Sequence, residues 1–384
     1  MTMKKIRLYL ALFSTLSLEA GSVDKVFDKV AIDGYLRGSY QLHDVQDDRT
    51  YQDDAIGAKL HFETKPLNGI SVGVSLYSSN ALFHDDNRGL VPLRGENHAS
   101  YAILGEAYLK AEFRKSMLTI GRQEIETPFV QVDDIGMVPN TFEAVILESH
   151  IVEDTTLLLG QIQKMAGVDA STVDTFTTIN GSDNMQLFGV RYEGIANVTL
   201  DGWYYNLKNA EVNTITFLEA DYEKELDDMS YNIGVQYANQ GYYVGTSANI
   251  FGGRVEVTAN KLGLTVSTAY TEVHGNAAFS GFGGGPFYSN SEYLILDNAG
   301  KEGRATWVGS EYDASKVGVE GLSVGLGYIT LANRLGKKST ELDLTASYEI
   351  NDAIEIHGVA SKLKGMNVGE DDAKHLRIFA NYNF

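Results

Sequence analysis

Cysteine is absent from the 384 residues, so neither a disulfide framework nor a thiolate metal site can hold this chain together. Proline is scarce, five residues in all, which leaves long stretches free to build central hydrogen-bonded ladders, where proline is not tolerated. Beyond the first twenty residues no apolar run approaches the roughly 20 residues of a membrane-spanning helix, which excludes a helical membrane protein. Positive charge is also short, 31 basic against 51 acidic residues. Without residues 1–20, which hold Lys4, Lys5, Arg7 and Glu19, the net charge is −22. Such acidity argues against nucleic acid and against an anionic membrane surface as partner. The eight histidines show no metal-binding spacing such as HExxH, so neither metal nor cofactor is expected.

What is present begins with a basic head, MTMKKIR, followed by the apolar run LYLALFSTLSL over residues 8–18. That pattern predicts a signal peptide over residues 1–20 with cleavage after Ala20, leaving residues 21–384 as one exported domain.

Short segments of strict alternation fill that domain. In residues 341–350, Leu342, Leu344, Ala346, Tyr348 and Ile350 share one face; Glu341, Asp343, Thr345, Ser347 and Glu349 share the other. A period of two places these sets on opposite sides of a sheet. The pattern also fits a soluble sandwich, but 39 glycines and 22 tyrosines, with tyrosine often near strand ends, favour a transmembrane barrel. Strands are expected over residues 32–42, 55–65, 69–79, 102–113, 116–121, 142–150, 155–163, 184–193 and 196–206. They continue over residues 212–223, 229–239, 242–261, 262–271, 304–313, 321–331, 340–350, 353–363 and 374–384. Residues 242–261 could be one strand or two; bacterial barrels have even strand numbers, which selects 18. The expected fold is an all-β transmembrane antiparallel barrel of about 18 strands, with an inward-folded constriction loop.

That loop lies within residues 121–149, GRQEIETPFVQVDDIGMVPNTFEAVILES. It is too long for a hairpin turn, and Pro128 and Pro139 stiffen its limbs. Glu124, Glu126, Asp133 and Asp134 stand beside Phe129, Val130, Val132, Ile135 and Met137. A connection with its own apolar side must pack against something. We place it in the lumen, with its carboxylates facing a water path. The same stretch resembles the third-loop region of the OprD family of outer-membrane porins, through Gly121-Arg122-Gln123, Thr127-Pro128, Asp134 and Pro139-Asn140-Thr141-Phe142-Glu143. Residues 283–313 are similar to that family's long seventh loop and the strand after it. Where many members carry a basic residue shortly after the loop aspartate, this chain has Ile135-Gly136.

The resemblance implies an 18-stranded channel in the bacterial outer membrane, surrounded by lipid and narrowed by inward-folded loops. Small polar solutes, often carboxylate-bearing, would diffuse through it, guided by a ladder of basic residues. The last strand, HLRIFANYNF, ends on Phe384 and looks like the signal by which outer-membrane barrels reach the barrel assembly machinery. Monomer and homotrimer both remain open. Parity places Arg37, Lys59, Lys110, Arg191, Arg254 and Arg377 on inward faces, and Trp307, read as facing lipid, places Arg304 there too. A bilayer-facing arginine costs about 2–4 kcal/mol at the midplane, so inward placement is expected whatever the function. These cations either form the ladder or simply balance nearby carboxylates. The four loop carboxylates either set up a transverse field or anchor the loop by hydrogen bonds.

Asp47-Asp48 and Asp53-Asp54 read as solvated loop charge rather than a calcium site. Residues 281–285, GFGGG, read as a flexible loop, since the lysine and helix of a phosphate cradle are missing. Two other functions are open to a barrel. A plugged barrel serving as a structural or adhesive surface protein would not conduct ions. A barrel lipase would need an outward-facing Ser–His pair near the membrane edge, which parity does not supply. Inward bases favour anion passage, while the acidic loop and net charge favour cations.

Overall fold

The computed structural model describes residues 30–46, 50–85, 91–179, 184–365 and 372–384. The expected signal peptide and Asp47-Asp48 lie outside the described residues. The wall opens with β1 (Val30–Val45), β2 (Thr50–Thr64), β3 (Ile70–Asp85), β4 (Tyr101–Phe113), β5 (Ser116–Gln123), β6 (Thr141–Ser149) and β7 (Thr155–Ala166). After the two-residue β8 (Thr177–Thr178) come β9 (Met185–Ile195), β10 (Val198–Leu207), β11 (Val212–Glu225), β12 (Met229–Tyr242) and β13 (Ala248–Ala259). The circuit is completed by β14 (Leu264–Gly275), β15 (Arg304–Asp313), β16 (Leu322–Ala332), β17 (Lys338–Asn351), β18 (Ile354–Lys364) and β19 (Ala373–Asn383).

Each wall strand pairs antiparallel with its sequence neighbour, and β1 pairs with both β2 and β19, which closes the sheet. β8 touches only the end of β7, while β7 pairs directly with β9. The wall is therefore a closed antiparallel barrel of 18 strands. Residues 242–261 contribute one new strand, β13, with Tyr242 still belonging to β12.

Alternation sets the two surfaces. On β1, Arg37, Ser39, Gln41 and His43 are buried inward, whereas Ile32 and Leu36 are 58% and 51% exposed on the outer face. Exposed apolar residues recur around the circuit, including Ile120, Phe188, Leu218, Val255, Val308 and Leu344. Lipid tails cover such a surface, so it costs nothing that water would charge for it.

Antiparallel connection places alternate loops at opposite ends. One end holds tight turns at residues 114–115, 196–197 and 352–353; Arg114 and Asn197 take φ of +55° and +64° to make theirs. The other end holds the long connections after β3, β5, β7 and β14. These fold into the lumen and give it an apolar core. Phe129, 1% exposed, meets Tyr205, Phe217 and Phe287 edge-on at centroid distances of 5.5, 5.6 and 5.9 Å. Burying one such side chain contributes about 1.5–3 kcal/mol. A second cluster joins Met137 and Val138 to Leu93, Ala55 and Tyr77. The apolar side of the long loop thus packs as its composition predicts.

Candidate functional site

The loop between β5 and β6 is tied to the wall through its carboxylates. Arg37 donates to both carboxylate oxygens of Asp134 at 2.6 and 2.7 Å, to the Gly136 carbonyl at 2.8 Å and to Asn381 at 2.8 Å. Bidentate pairs of this kind fix orientation as well as charge. Glu124 accepts from Lys59 at 2.9 Å and from the Tyr77 hydroxyl at 2.8 Å. Glu126 accepts from its own loop, the Val132 amide, at 3.2 Å, and burial raises its pKa. Asp133 sits at φ +39°. Burial and the neighbouring Asp169 push its pKa up to about 7. Asn140 links the same two loops, donating to Asp169 at 2.6 Å and to the Gln131 carbonyl at 3.1 Å.

The inward cations are paired rather than free. Lys59 also lies 3.6 Å from Glu106. Lys110 meets Glu63 at 2.8 Å, Arg191 meets Asp201 at 3.0 Å and Arg254 meets Asp221 at 2.6 Å. Arg377 bonds Glu292 on the loop between β14 and β15. Arg304 does not join them. Ala305 is fully buried, Trp307 packs against the inner core and Val308 is 49% exposed, so Arg304 shares the outer face with Val308. The expectation failed because Trp307 faces the loop-filled lumen, not lipid. There Arg304 pairs in register with Glu272, which accepts from Tyr270 at 3.0 Å and lies 3.1 Å from His274.

Asp53 and Asp54 also depart from expectation. Both are buried within β2, at 1% and 5% exposure. Asp53 bonds Arg94, which is itself 1% exposed, and Asp54 accepts from the Phe83 amide at 2.6 Å. No motif in the sequence marks Arg94. The available signal was the apolar run Val91-Pro92-Leu93 directly before it, an inward-packing segment in an otherwise polar connection.

The GFGGG segment is packed, not loose. Gln131 donates its amide to the Phe282 carbonyl at 2.9 Å, and Phe282 donates to the Phe129 carbonyl at 2.9 Å. Gly281 at φ +93° and Gly283 at φ +136° permit this approach; a Cβ on Gly281 would stand 2.4 Å from the Phe129 oxygen. The two long loops therefore form one body across the lumen. Farther along, the Tyr293 and Leu294 amides donate to Glu341, at 3.0 and 2.7 Å, and Ser291 donates to Asp343 at 2.6 Å.

Beside that body lies a cavity of about 650 Å³, lined by Glu126, Gln131, Glu148, His150, Arg191, Glu193, Trp203, Glu219, Arg254 and Tyr288 among others. Its lining reaches Glu148, His150 and Glu193, near the tight-turn end. There the inward parity of the wall continues through Glu223, Glu256, Glu311 and Glu349. These four form no ion pair among the described residues. Among the described residues, no group of three metal-ligating side chains occurs.

Solved structures share this architecture. OccAB3 of Acinetobacter baumannii is 18% identical with a TM-score of 0.81, covering 93% of this chain and 99% of that one. OccAB4 of the same organism is 18% identical with a TM-score of 0.79, covering 93% and 98%. OpdK of Pseudomonas aeruginosa, solved with vanillate, is 16% identical with a TM-score of 0.77, covering 93% and 99%. None of the curated proteins matches the sequence significantly. The family model for "outer membrane porin, OprD family" matches residues 69–383. With that match spanning most of the closed 18-stranded wall and both loops folded into it, the chain belongs to the OprD family of outer-membrane porins.

Proposed function

We propose that this porin passes cationic and zwitterionic solutes more readily than anions. As an OprD-family porin it sits in the bacterial outer membrane and lets small hydrophilic solutes diffuse passively. The observation that carries the charge preference is the pairing of the inward cations. Arg37, Lys59, Lys110, Arg191, Arg254 and Arg377 each have a carboxylate partner. Carboxylates exceed them, since Glu126, Glu193 and Glu219 line the cavity as well. A solute carboxylate must compete with Asp134 or Asp221 for its guanidinium, whereas an ammonium group meets unmatched acid. A carboxylate-bearing nutrient that also carries an amine fits this lining better than a simple anion. Glu124, Glu126, Asp133 and Asp134 act as the constriction loop's charges, with Glu124 and Asp134 also serving as its anchors.

The function is channelling, not catalysis. The His150 contacts to Glu148 at 2.9 Å and to Thr156 at 3.0 Å line the inner cavity, away from the lipid-facing side that a barrel lipase would use. Phe384 serves as the signal for the barrel assembly machinery; its ring is 52% exposed at the end of the closing strand. Lipid-facing apolar residues from Leu36 through Phe188 to Tyr382 occur around the wall, which supports a single lipid-surrounded barrel over a homotrimer.

The test is single-channel recording of the refolded protein in a planar bilayer under a potassium chloride gradient. Discrete steps with a reversal potential toward potassium are expected. A potential toward chloride would refute the charge preference, and a folded barrel without steps would support the plugged, adhesive alternative.

A further inference from the structure

We propose that Tyr288 is a specificity-determining residue that masks Arg254 and narrows the path beside it. The inference rests on the reading that lumenal charge governs permeation. Arg254 sits on the inner face of β13, with one guanidinium nitrogen 2.6 Å from Asp221. The opposite interaction is aromatic: the Tyr288 ring centroid lies 4.5 Å from the guanidinium carbon. Such stacking covers one flat face of the guanidinium, while the rest of the side chain stays 38% exposed.

Three features hold the tyrosine there. Gln236, 5% exposed, grips the backbone on both sides of Phe287. In the amide orientation that its neighbours require, it donates to the Pro286 carbonyl at 3.0 Å and accepts from the Tyr288 amide at 3.1 Å. Phe287 itself turns the other way, buried against Phe129 at 5.9 Å. Finally, the wall leaves room. A Cβ on Gly234 would stand 2.5 Å from the Tyr288 hydroxyl oxygen, 2.7 Å from Asp221 Oδ1 and 2.9 Å from Arg254 Nε. The absent side chain is thus the slot in which phenol, carboxylate and guanidinium meet.

Both Tyr288 and Arg254 line the cavity, together with Glu126 and Glu219. With the ring in place, a solute passing this point meets the phenol on one face of the guanidinium and only its remaining edge as free cation. Removing the ring widens the cavity and uncovers a cation.

The experiment compares wild type, Tyr288→Ala, Tyr288→Phe and Gly234→Ala in planar bilayers, each first shown to run as a folded barrel. Tyr288→Ala is expected to raise conductance by roughly half, since pore width and lining charge set flux. It should also move the reversal potential toward the anion. Tyr288→Phe keeps the ring and should retain the wild-type potential. Gly234→Ala should displace the phenol and shift the potential in the same direction as Tyr288→Ala, which keeps the proposal testable if the alanine variant fails to fold. Wild-type conductance and potential in a folded Tyr288→Ala barrel would overturn it. An anion-selective wild type would instead refute the overall charge preference, while the direction of the Tyr288→Ala shift would still test the mask.

Discussion

Two ion pairs in the lumen look alike as chemistry and differ in what surrounds them. Arg94 and Asp53 are both 1% exposed at the side chain, whereas Asp134, the partner of Arg37, is 40% exposed. Truncating one member of a fully buried pair deletes a charge-assisted bond where water cannot replace it, costing about 3–5 kcal/mol. Asp53→Ala should therefore lower the thermal unfolding midpoint more than Asp134→Ala, after which the buried Arg37 still donates to the Gly136 carbonyl and to Asn381. Circular dichroism of the detergent-solubilised barrel checks the order of the two. The sequence could place Asp53 beside a turn but could not show that Arg94 returns to it, because that contact depends on how a later connection folds. Arg37 was legible for the opposite reason. Its inward direction follows from the parity of Leu36 and Gly38 alone.

At the scale of elements, the loop between β5 and β6 behaves as a folded piece because it is pinned at several unlike points. Its union with the loop between β14 and β15 depends on backbone approach at Gly283, where a Cβ would lie 2.6 Å from that of Gln131. Gly283→Val also forbids the φ of +136°. That variant should separate the two loops and give larger, noisier single-channel currents.

Proton linkage offers a second handle. Asp133, raised to about 7 beside Asp169, near Arg377 and Glu292, holds in the folded loop a proton that the unfolded chain releases near its ordinary range. The folded form then binds more protons between those two values, so stability falls as pH rises through them. Loop contacts should be tightest at acidic pH and loosen toward about pH 7, seen as growing current noise. Asp133→Asn should abolish that trend. The loop's inward fold was legible from carboxylates mixed with apolar residues. The direction of Trp307 was not, since an aromatic residue can face lipid or an apolar loop, and the sequence does not distinguish the two.

For the whole molecule, closure is the decisive event. β19 meets β1 over eleven register pairs, from Tyr35–Asn383 to Val45–Ala373. Phe384 adds reciprocal backbone bonds with Gly34, at 3.0 and 3.1 Å. Each such bond contributes about 0.5–1.5 kcal/mol. Deleting Phe384 should accordingly leave the refolded barrel closed, with a slightly lower unfolding temperature. A larger fall in the amount assembled in cells would mark recognition during insertion rather than stability. The strand count was legible because the period of two survives in nearly every segment. The lumen was less so, because loops obey no period and their partners lie far away in sequence.

The barrel's two mouths differ in kind: folded loops with matched charges fill one, and Glu223, Glu256, Glu311 and Glu349 continue the inner wall of the other. A conduit with fixed charge concentrated at one end is an ionic rectifier. Mobile cations pile up at the acidic mouth under one polarity and are depleted under the other, so equal and opposite voltages drive unequal currents. The asymmetry should be plain in dilute salt and should fade near 1 M, where the screening length shrinks to about 3 Å.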